Sequence, residues 1–537
     1  MTINWPKAWE VGEMARTTTN VVNLDALIER ADLAATGEGG EDINAIYVTG
    51  LEPKGWLYQS LRKPDFQRET SDWQPDAVAG IIQTFLSREL IPAIILWRSG
   101  SDVFVIDGAH RLSALIAWVH DDYGDGEVSR RFFHNVIPED QIKAANKTRE
   151  LVNSTVGSYR THRDAIDNPD RADPAVKERA QRMGWQNIEV QWIRTQDAER
   201  AEKSFFRINQ GGERINDTEQ RILKARRSAP ALTSRAILRG GTGHNYWHRF
   251  HSGTQKRIED IGREIHDLMF RPPIELPVKT LDLPVAGQGY GPHVLPFVFD
   301  LVGLCNRLST SASGKKNDEL PDDPDGTLTL SYLTEVRRIL WRLCSNHPSS
   351  LGLHPVLYFY SRAGTFQPSA LLSIVNLMRD WDTPDYLGFT SVREGFEGIL
   401  LANRSITEAI RKLGSASRSR PRIVGFYRAI LSRLLESQTP EEVTTFLRGT
   451  EEYGFLIEPQ DEEPMFNLEG GNFTREVKGA AFIAGALPTV PKCPTCRGLI
   501  HRNGIQTGHI QAKRDGGSSR VANATPQHPF CNSTAAN

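Results

Sequence analysis

The sequence predicts a multi-domain α+β protein. Its 537 residues correspond to three or four domains at roughly 150 residues per domain. Two short apolar runs near residue 100 have the pattern of a β-hairpin, and helical patterns fill most of residues 219–450. Three of the five cysteines lie after residue 490. These observations predict a small α/β region, a large helical region and a small metal-stapled region.

The composition excludes several classes of protein. Hydrophobic residues make up 39% and charged residues 24%, which is typical of a globular chain and unlike a disordered, collagen-like or coiled-coil one. The formal net charge is −2, so the protein is not coated in basic charge. We find no apolar run long enough to span a membrane and no apolar segment typical of a signal peptide, so we expect a cytoplasmic protein without a membrane partner.

The elements of the first region, residues 1–230, follow in a clear order after residue 64. Apolar residues at helical spacing over 78–86 predict a helix. The runs Ile94–Trp97 and Val103–Ile106, separated by a turn, predict a hairpin. A tight turn at 107–111 then leads into apolar residues at helical spacing from Leu112 onward, which predict a second helix.

The remaining boundaries rest on pattern and charge. Residues 231–450 are mostly helical in pattern. Residues 451–487 begin with a strongly acidic stretch and are predicted to be a linker. Residues 488–537 are predicted to form a small last domain. From residue 492 onward it contains six basic residues and one acidic residue. Such a charge run fits a phosphate backbone as partner, although it is also typical of a solvated face.

The turn at 107–111 has the chemistry of an anion site. Gly108 permits a tight turn and a close approach of the backbone. The free amides at the start of the following helix point at a phosphate, and Arg111 adds a bidentate fork. Asp107 is suited to cap the helix or to bind a cation. The alternative from these residues alone is a plain turn with a capping Asp107.

The neighbours of this turn form an ordered set of motifs. Upstream lie the segment 64–68 (PDFQR), Trp73 and the Ile-Pro pair at 91–92, and downstream lie the segment 205–212 (FFRINQGG) and Glu219. The set resembles the DGQQR family, the ParB-like domain found in GmrSD-type restriction systems, over about residues 45–230. The resemblance implies an α/β fold, nucleotide binding and hydrolysis, sensing of DNA modification such as that of phage DNA, and in some members DNA nicking.

Carried over to this chain, the resemblance assigns a nucleotide or phosphate pocket. Its lining residues would be Gln67, Arg68, Asp107, Gly108, His110 and Arg111, with Asn209 and Gly212 as a second wall. Asp107 and Arg111 are also candidate catalytic residues. The chain departs from the family at Ala109 and His110, which stand where the family has two glutamines; His110 adds a titratable group. Without the resemblance, the stretch 209–212 is typical of an ordinary turn between helices.

The end of the chain carries two knuckles with metal-ligand spacing. Cys493 and Cys496 form a CxxC pair, and His528 and Cys531 form an HxxC pair downstream. Such pairs place four ligands for a tetrahedral structural zinc ion, and a region this small has too little core to fold well alone. The alternative is a set of buried cysteines and a surface pair without metal.

The residues between and after the knuckles resemble the HNH endonuclease family, whose fold is a ββα-metal unit, over roughly 488–537. The order is CxxC, then GHI at 508–510, then two glycines at 516–517, then Asn523 and HPFCN at 528–532. The resemblance implies that His509 is the general base for phosphodiester hydrolysis and that Asn523 orients its loop. It also implies that His509 and Asn532 lie at a catalytic divalent ion, Mg²⁺ or Mn²⁺. A loop histidine with a structural role is the alternative for His509.

One position departs from the HNH pattern. The family usually has a metal-binding Asp directly before the first His, and here that position is Gly508. Three alternatives stay open: Asp515 substitutes for the missing carboxylate, the metal binds more weakly, or the unit does not cleave.

These motifs support three hypotheses about the function of the chain. In the first, the chain is a DNA endonuclease or nickase of a restriction or anti-phage type, with an N-terminal domain that binds NTP and senses DNA and a C-terminal HNH domain that cuts. In the second, it is a non-cleaving DNA-binding sensor or regulator with a structural zinc module. In the third, only the N-terminal domain is active. The sequence leaves open a homo-oligomer or a partner subunit.

Overall fold

The structure is a computed structural model that describes residues 21–33, 42–67, 69, 73–209, 217–308, 320–404, 406, 416–454 and 472–535. Its contacts divide the chain into two compact units. The first unit comprises Met1–Arg226 with two short later segments, Thr242–Tyr246 and Tyr290–His293. The second unit comprises the rest of the chain, including both the helical region and the C-terminal knuckles.

The described part of the first unit contains one mixed sheet of six strands. The strands are β1 (Glu29–Ala31), β2 (Ala45–Tyr47), β3 (Leu61–Pro64), β4 (Ile94–Ser99), β5 (Asp102–Asp107) and β6 (Asn187–Trp192). Their spatial order is β1-β3-β5-β4-β6-β2. Strands β1, β3 and β5 are parallel to one another, and β4 runs antiparallel to β5. The predicted hairpin is therefore confirmed as β4 and β5.

Strand β5 is buried on both faces of the sheet. Val103 and Val105 belong to the larger core, which includes Leu112 of the helix that follows the strand. Phe104 and Ile106 belong to a second core on the opposite face. Because successive side chains of a strand point to opposite faces, burial on both sides requires an unbroken apolar run, as this strand has.

Nine helices are described in the first unit. They are α1 (Trp56–Ser60), α2 (Pro75–Ser87), α3 (Ala109–His120), α4 (Glu127–Phe132), α5 (Glu139–Thr155), α6 (Tyr159–Asp167), α7 (Pro174–Met183), α8 (Ala198–Asn209) and α9 (Asp217–Lys224). The helices predicted on either side of the hairpin are confirmed as α2 and α3. Helix α2 begins with a proline at its first position, where the missing N–H costs no hydrogen bond.

The second unit is mostly helical over its described residues. Its helices are α10 (Ala229–Leu238), α11 (Ser252–Phe270), α12 (Val294–Cys305), α13 (Thr327–Cys344), α14 (Pro355–Tyr358), α15 (Pro368–Met378), α16 (Thr383–Ala402), α17 (Ala416–Leu435), α18 (Pro440–Arg448), α19 (Arg475–Ala486) and α20 (Pro529–Ala535). Helix α19 lies within the stretch predicted as a linker, and residues 455–471 of that stretch lie outside the described part.

The C-terminal part of the second unit has the order hairpin, then helix. Strands β7 (Gln506–His509) and β8 (Ala524–Gln527) pair antiparallel, with Gln506 opposite Gln527 and His509 opposite Ala524. Helix α20 follows after one residue. Within the described ranges, no helix combines the length and apolar character needed to cross a membrane.

Candidate functional sites

The turn after β5 requires glycine. Gly108 has a φ of +91°, which is a left-handed conformation that side chains with a Cβ rarely adopt. A Cβ at this position would lie 2.4 Å from Cδ1 of Ile94 and 2.8 Å from Nη2 of Arg111. The backbone therefore passes close to its neighbours here, in agreement with the tight turn predicted from the sequence.

The start of helix α3 is free of side-chain caps. Its N-cap residue is Gly108, and Asp107 makes no capping hydrogen bond. Instead, Oδ2 of Asp107 accepts a hydrogen bond from Nη2 of Arg111 at 2.8 Å. Of the two roles considered for Asp107, helix capping does not occur, because the ion pair with Arg111 takes up its carboxylate. The first amides of α3 are thereby left available to an anion.

Two buried polar atoms lie near this turn. Nε of Arg111 and Oε1 of Gln67 are both buried without a hydrogen-bond partner among the described residues. Gln67 follows strand β3, which is parallel to β5, and the carboxyl ends of parallel strands meet at one edge of the sheet. The structure therefore places Gln67 and the 107–111 turn at the same edge. The ring of His110 stacks on Trp73, with centroids 5.5 Å apart.

A buried charge cluster holds the turn that carries Gln67. Nη1 of Arg30 donates to the carbonyl of Gln67 at 2.6 Å, and Nη2 of Arg30 donates to Asp25 at 2.7 Å. Lys63 also donates to Asp25, at 2.7 Å. Burial would raise the pKa of Asp25, but Arg30 and Lys63 hold it well below its usual range. Burial lowers the pKa of Lys63 to about 8, in spite of Asp25.

Three predicted pocket residues are not described in full. Arg68 and Gly212 lie outside the described residues, and Asn209 is the last residue of α8, with no description of its side chain. Helix α8 does pack on the same part of the sheet, because Phe205 contacts Phe66 with ring centroids 5.1 Å apart. The second wall of the pocket stays a prediction.

The four knuckle residues of the C-terminal region come together. Ligand atoms of Cys493, Cys496, His528 and Cys531 all lie within 4.8 Å of one another, and all four residues are buried. Three sulfurs and one imidazole are a common set for structural zinc. Hydrogen bonds from the Cys496 and Cys531 thiols lower the pKa of Cys493, which favours the thiolate that a metal requires. The cluster predicted from the spacing is confirmed as compatible with zinc.

Contacts of the ring fix the orientation of His528. Nε2 of His528 lies 3.0 Å from the carbonyl of Leu499, so this nitrogen carries the proton and Nδ1 is left with a lone pair. Nδ1 lies 3.2 Å from Sγ of Cys496. Burial lowers the pKa of His528, as does the charge of Arg393, so the ring is neutral near pH 7. A neutral ring with Nδ1 facing the thiols is the form that binds zinc.

Two residues of helix α16 support this cluster. Arg393 and Glu397 form a buried ion pair at 2.7 Å, and Nη1 of Arg393 lies 3.3 Å from Nδ1 of His528. Tyr358 also donates to Glu397, at 3.0 Å. Neither residue of the pair is predicted as functional from the sequence. The one signal they offer is opposite charge at i and i+4, which is common on exposed helix faces.

His509 ends strand β7 and is partly exposed. The following loop is clamped by Asn523, whose Oδ1 accepts a hydrogen bond from the amide of Gln511 at 2.7 Å. Nδ2 of Asn523 donates to the carbonyls of Gln511 and Ser518, at 3.0 and 2.7 Å. Asn523 thus holds the loop that follows His509, while its part in a nuclease site stays a prediction.

The position before His509 faces helix α20. A Cβ on Gly508 would lie 2.7 Å from Oδ1 of Asn532. Oδ1 of Asn532 therefore lies next to the place where the HNH pattern has its Asp, and a metal-binding role of Asn532 stays a prediction. Asp515 is exposed and lies in the turn Lys513–Asp515, with its carboxylate 3.8 Å from Arg514. No contact of the described residues brings the Asp515 carboxylate to Gly508, His509 or Asn532.

The comparisons with known proteins bear on the first unit. Residues 54–227 match the family model of the GmrSD restriction endonuclease N-terminal domain, which is less than half of the chain. No curated protein and no solved structure matches the chain. The match does not reach residues 488–537, whose resemblance to the HNH family stays a prediction. Over residues 54–227 the chain matches the N-terminal domain of GmrSD-type restriction endonucleases, which supports a nuclease that acts on DNA.

Proposed function

We propose that this chain is a restriction-type DNA endonuclease whose C-terminal region hydrolyses phosphodiester bonds. The observation that carries the proposal is the partly exposed ring of His509 at the end of a hairpin whose loop Asn523 clamps. The adjoining Cys₃His cluster supports it, because a zinc ion there would hold the hairpin and helix α20 together. The family match of residues 54–227 supports DNA as the substrate.

The proposed reaction needs one proton acceptor and one source of positive charge. A neutral nitrogen of His509 takes the proton from a water molecule that attacks phosphorus. A divalent ion, when bound, neutralises the charge that develops on the phosphate oxygens. Asn532 is the residue that would hold this ion, while Asn523 keeps the His509 loop in place. Exposed Lys513, Arg514 and Arg520 add positive charge for the DNA backbone.

The N-terminal region would bind a nucleotide at the 107–111 turn. The open amides of helix α3 and the buried Nε of Arg111 are donors for phosphate oxygens. His110 and Trp73 form a stacked pair next to these donors. We propose that nucleotide binding and hydrolysis at this turn accompany the sensing of modified DNA.

A digestion panel tests the proposal. Full-length protein would be incubated with plain, methylated, glucosylated and phosphorothioated DNA, with Mg²⁺ or Mn²⁺, and with or without each NTP. We expect cleavage of at least one substrate, loss of cleavage in His509→Ala, and loss of NTP dependence in Arg111→Ala. The proposal fails if no substrate is cut and His509→Ala protects cells from phage as well as the wild type does.

A second candidate function is a DNA-binding sensor that does not cleave. The observation that favours it is Gly508, which leaves the HNH position without a carboxylate. In a third hypothesis, only the N-terminal domain is catalytically active. This hypothesis predicts that Arg111→Ala abolishes the activity and that His509→Ala leaves it intact, so the two variants separate all three functions.

A further inference from the structure

The face of the C-terminal hairpin that carries Gly508 has no room for an acidic side chain. A Cβ at Gly508 would lie 2.7 Å from Cδ and 2.8 Å from Oε1 of Gln527, in addition to its contact with Asn532. An Asp at this position would have to displace both amides. The residues around Gly508 therefore leave no space for a carboxylate at this position, because two amide side chains occupy that space.

One of these amides has a buried oxygen that no described residue satisfies. Gln527 is 7% exposed, and its Oε1 has no hydrogen-bond partner among the described residues. Buried polar atoms are nearly always paired, so an unpaired one indicates a ligand, an ion or an ordered water. This oxygen lies beside the Gly508 position, 2.8 Å from where a Cβ would stand, next to the helix that carries Asn532.

The second amide is oriented to present its oxygen to the same point. Nδ2 of Asn532 donates to Oε1 of Gln506 at 3.0 Å, which directs Oδ1 of Asn532 toward Gly508. Oδ1 of Asn532 and Oε1 of Gln527 both lie within 2.8 Å of the Cβ position on Gly508. The two oxygens therefore border the same position of strand β7, one from strand β8 and one from helix α20.

We propose that Gln527 is a metal ligand that takes the place of the missing carboxylate and, with Asn532, binds the divalent ion of the reaction. The proposal rests on the function proposed above. Amide oxygens suit hard cations such as Mg²⁺ and Mn²⁺, which bind few protein groups and fill their other positions with water and substrate phosphate.

The absence of a negative ligand has a consequence for the order of binding. Two neutral amides hold a divalent cation weakly, because charge count is a main determinant of affinity at oxygen sites. The scissile phosphate supplies the negative charge that the protein lacks. Metal binding at this site therefore depends on DNA, and the site is loaded only when a phosphate lies beside His509.

Mn²⁺ binding to the full-length, zinc-loaded protein tests the proposal without reference to cleavage. Binding would be followed by the loss of the free Mn²⁺ signal in electron paramagnetic resonance, without DNA and with a short duplex, in a His509→Ala background that prevents cutting. Gln527→Met removes the oxygen at similar volume, and Gln527→Glu adds a charge. Gln191→Met makes the same change at an exposed position of strand β6.

We expect the duplex to strengthen Mn²⁺ binding, and Gln527→Met to weaken binding in its presence by about tenfold or more. Gln527→Glu should bind Mn²⁺ about tenfold more tightly without DNA, and Gln191→Met should behave as the parent does. Zinc content and circular dichroism report folding. If Gln527→Met does not fold, the proposal is tested by whether Gln527→Glu binds Mn²⁺ more tightly without DNA.

The proposal is overturned if neither Gln527 variant changes Mn²⁺ binding. If Mn²⁺ binding depends on Gln527 but the wild type cuts no DNA, the metal site stands and the nuclease function fails. If the wild type cuts DNA and Mn²⁺ binding is independent of Gln527, the function stands and the ligand assignment fails.

Discussion

The carboxylate of Glu397 accepts a hydrogen bond from the backbone amide of Leu499 at 2.7 Å. This contact joins a long helix of the second unit to the loop that carries Cys493 and Cys496. The carbonyl of Leu499 in turn contacts His528, so one residue links the helix to both knuckles. The Cys₃His cluster is thus supported by a partner more than a hundred positions earlier in the sequence.

We expect Glu397→Ala to weaken zinc binding by about 10- to 100-fold, because residues that orient metal ligands have effects of this size. The substitution also leaves Arg393 buried without its carboxylate, which should lower the free energy of unfolding by about 3–5 kcal/mol. Competition with a chromogenic chelator measures the first quantity, and urea denaturation measures the second.

Glu394→Ala is the matched control. Glu394 lies on the same helix but is exposed and pairs loosely with Arg497, at 3.7 Å. Its loss should cost no more than about 1 kcal/mol and leave zinc binding unchanged. Equal zinc affinities in the two variants would contradict the role given to Glu397.

Loss of the Asn523 side chain should slow cleavage without preventing DNA binding. Asn523→Ala removes three hydrogen bonds that hold the loop after His509, and a misplaced base costs about 100-fold in rate. We expect the loss in kcat, with KM nearly unchanged. Asn503→Ala, elsewhere in the same region, should cleave normally. A change confined to KM would show that Asn523 acts in binding instead.

A methyl group at Gly108 should damage the 107–111 turn. Gly108→Ala combines a positive φ with contacts to Ile94 and Arg111, so we expect a loss of about 1–3 kcal/mol in stability and loss of nucleotide binding. Calorimetric titration with NTP and thermal denaturation measure these effects. The control is Gly80→Ala in helix α2, where a Cβ meets nothing within 4 Å and should stabilise by about 1 kcal/mol.

The stability of the second unit should fall in mild acid because of His501. Burial, followed by the charge of Arg502, lowers the pKa of His501 from 6.5 to about 4. Between these two values the unfolded chain binds the proton and the folded protein does not, so the free energy of unfolding decreases as pH falls through this range. The full loss amounts to about 3 kcal/mol.

His501→Gln should flatten this pH dependence, as measured by urea denaturation of zinc-loaded protein. His251→Gln is the matched control, since both histidines accept a hydrogen bond from the amide two residues later but His251 is exposed. Identical pH profiles for the two variants would assign the acid sensitivity to other groups, such as the zinc ligands.

Local pattern was enough to predict the elements that carry the candidate sites. The hairpin β4–β5 and helices α2 and α3 follow from apolar periodicity, and the Cys₃His cluster follows from the spacing of its two knuckles. Strands β1 and β2 were not predicted, because three residues are too few to show a period. Their place in the sheet comes from pairing with strands distant in sequence.

The features that support the sites depend on contacts that no local pattern contains. Arg393 reaches His528 across 135 positions of the chain. Gln527 carries no motif of its own, and its buried oxygen becomes visible only when helix α20 is placed against the hairpin. The four residues of the Cys₃His cluster are therefore predictable from the sequence, whereas the residues that support the cluster and the proposed ligand Gln527 are not.

Because strand β5 is buried on both faces, its position in the first unit does not depend on the residues of the turn that follows it. The turn at 107–111 takes its position from a strand anchored in two cores, so in the proposed nucleotide site exchanges within the turn would change the ligand preference without moving the site. Ala109 and His110, in place of two glutamines, are exchanges of this kind. The same anchoring makes the turn a promising place to engineer altered nucleotide preference.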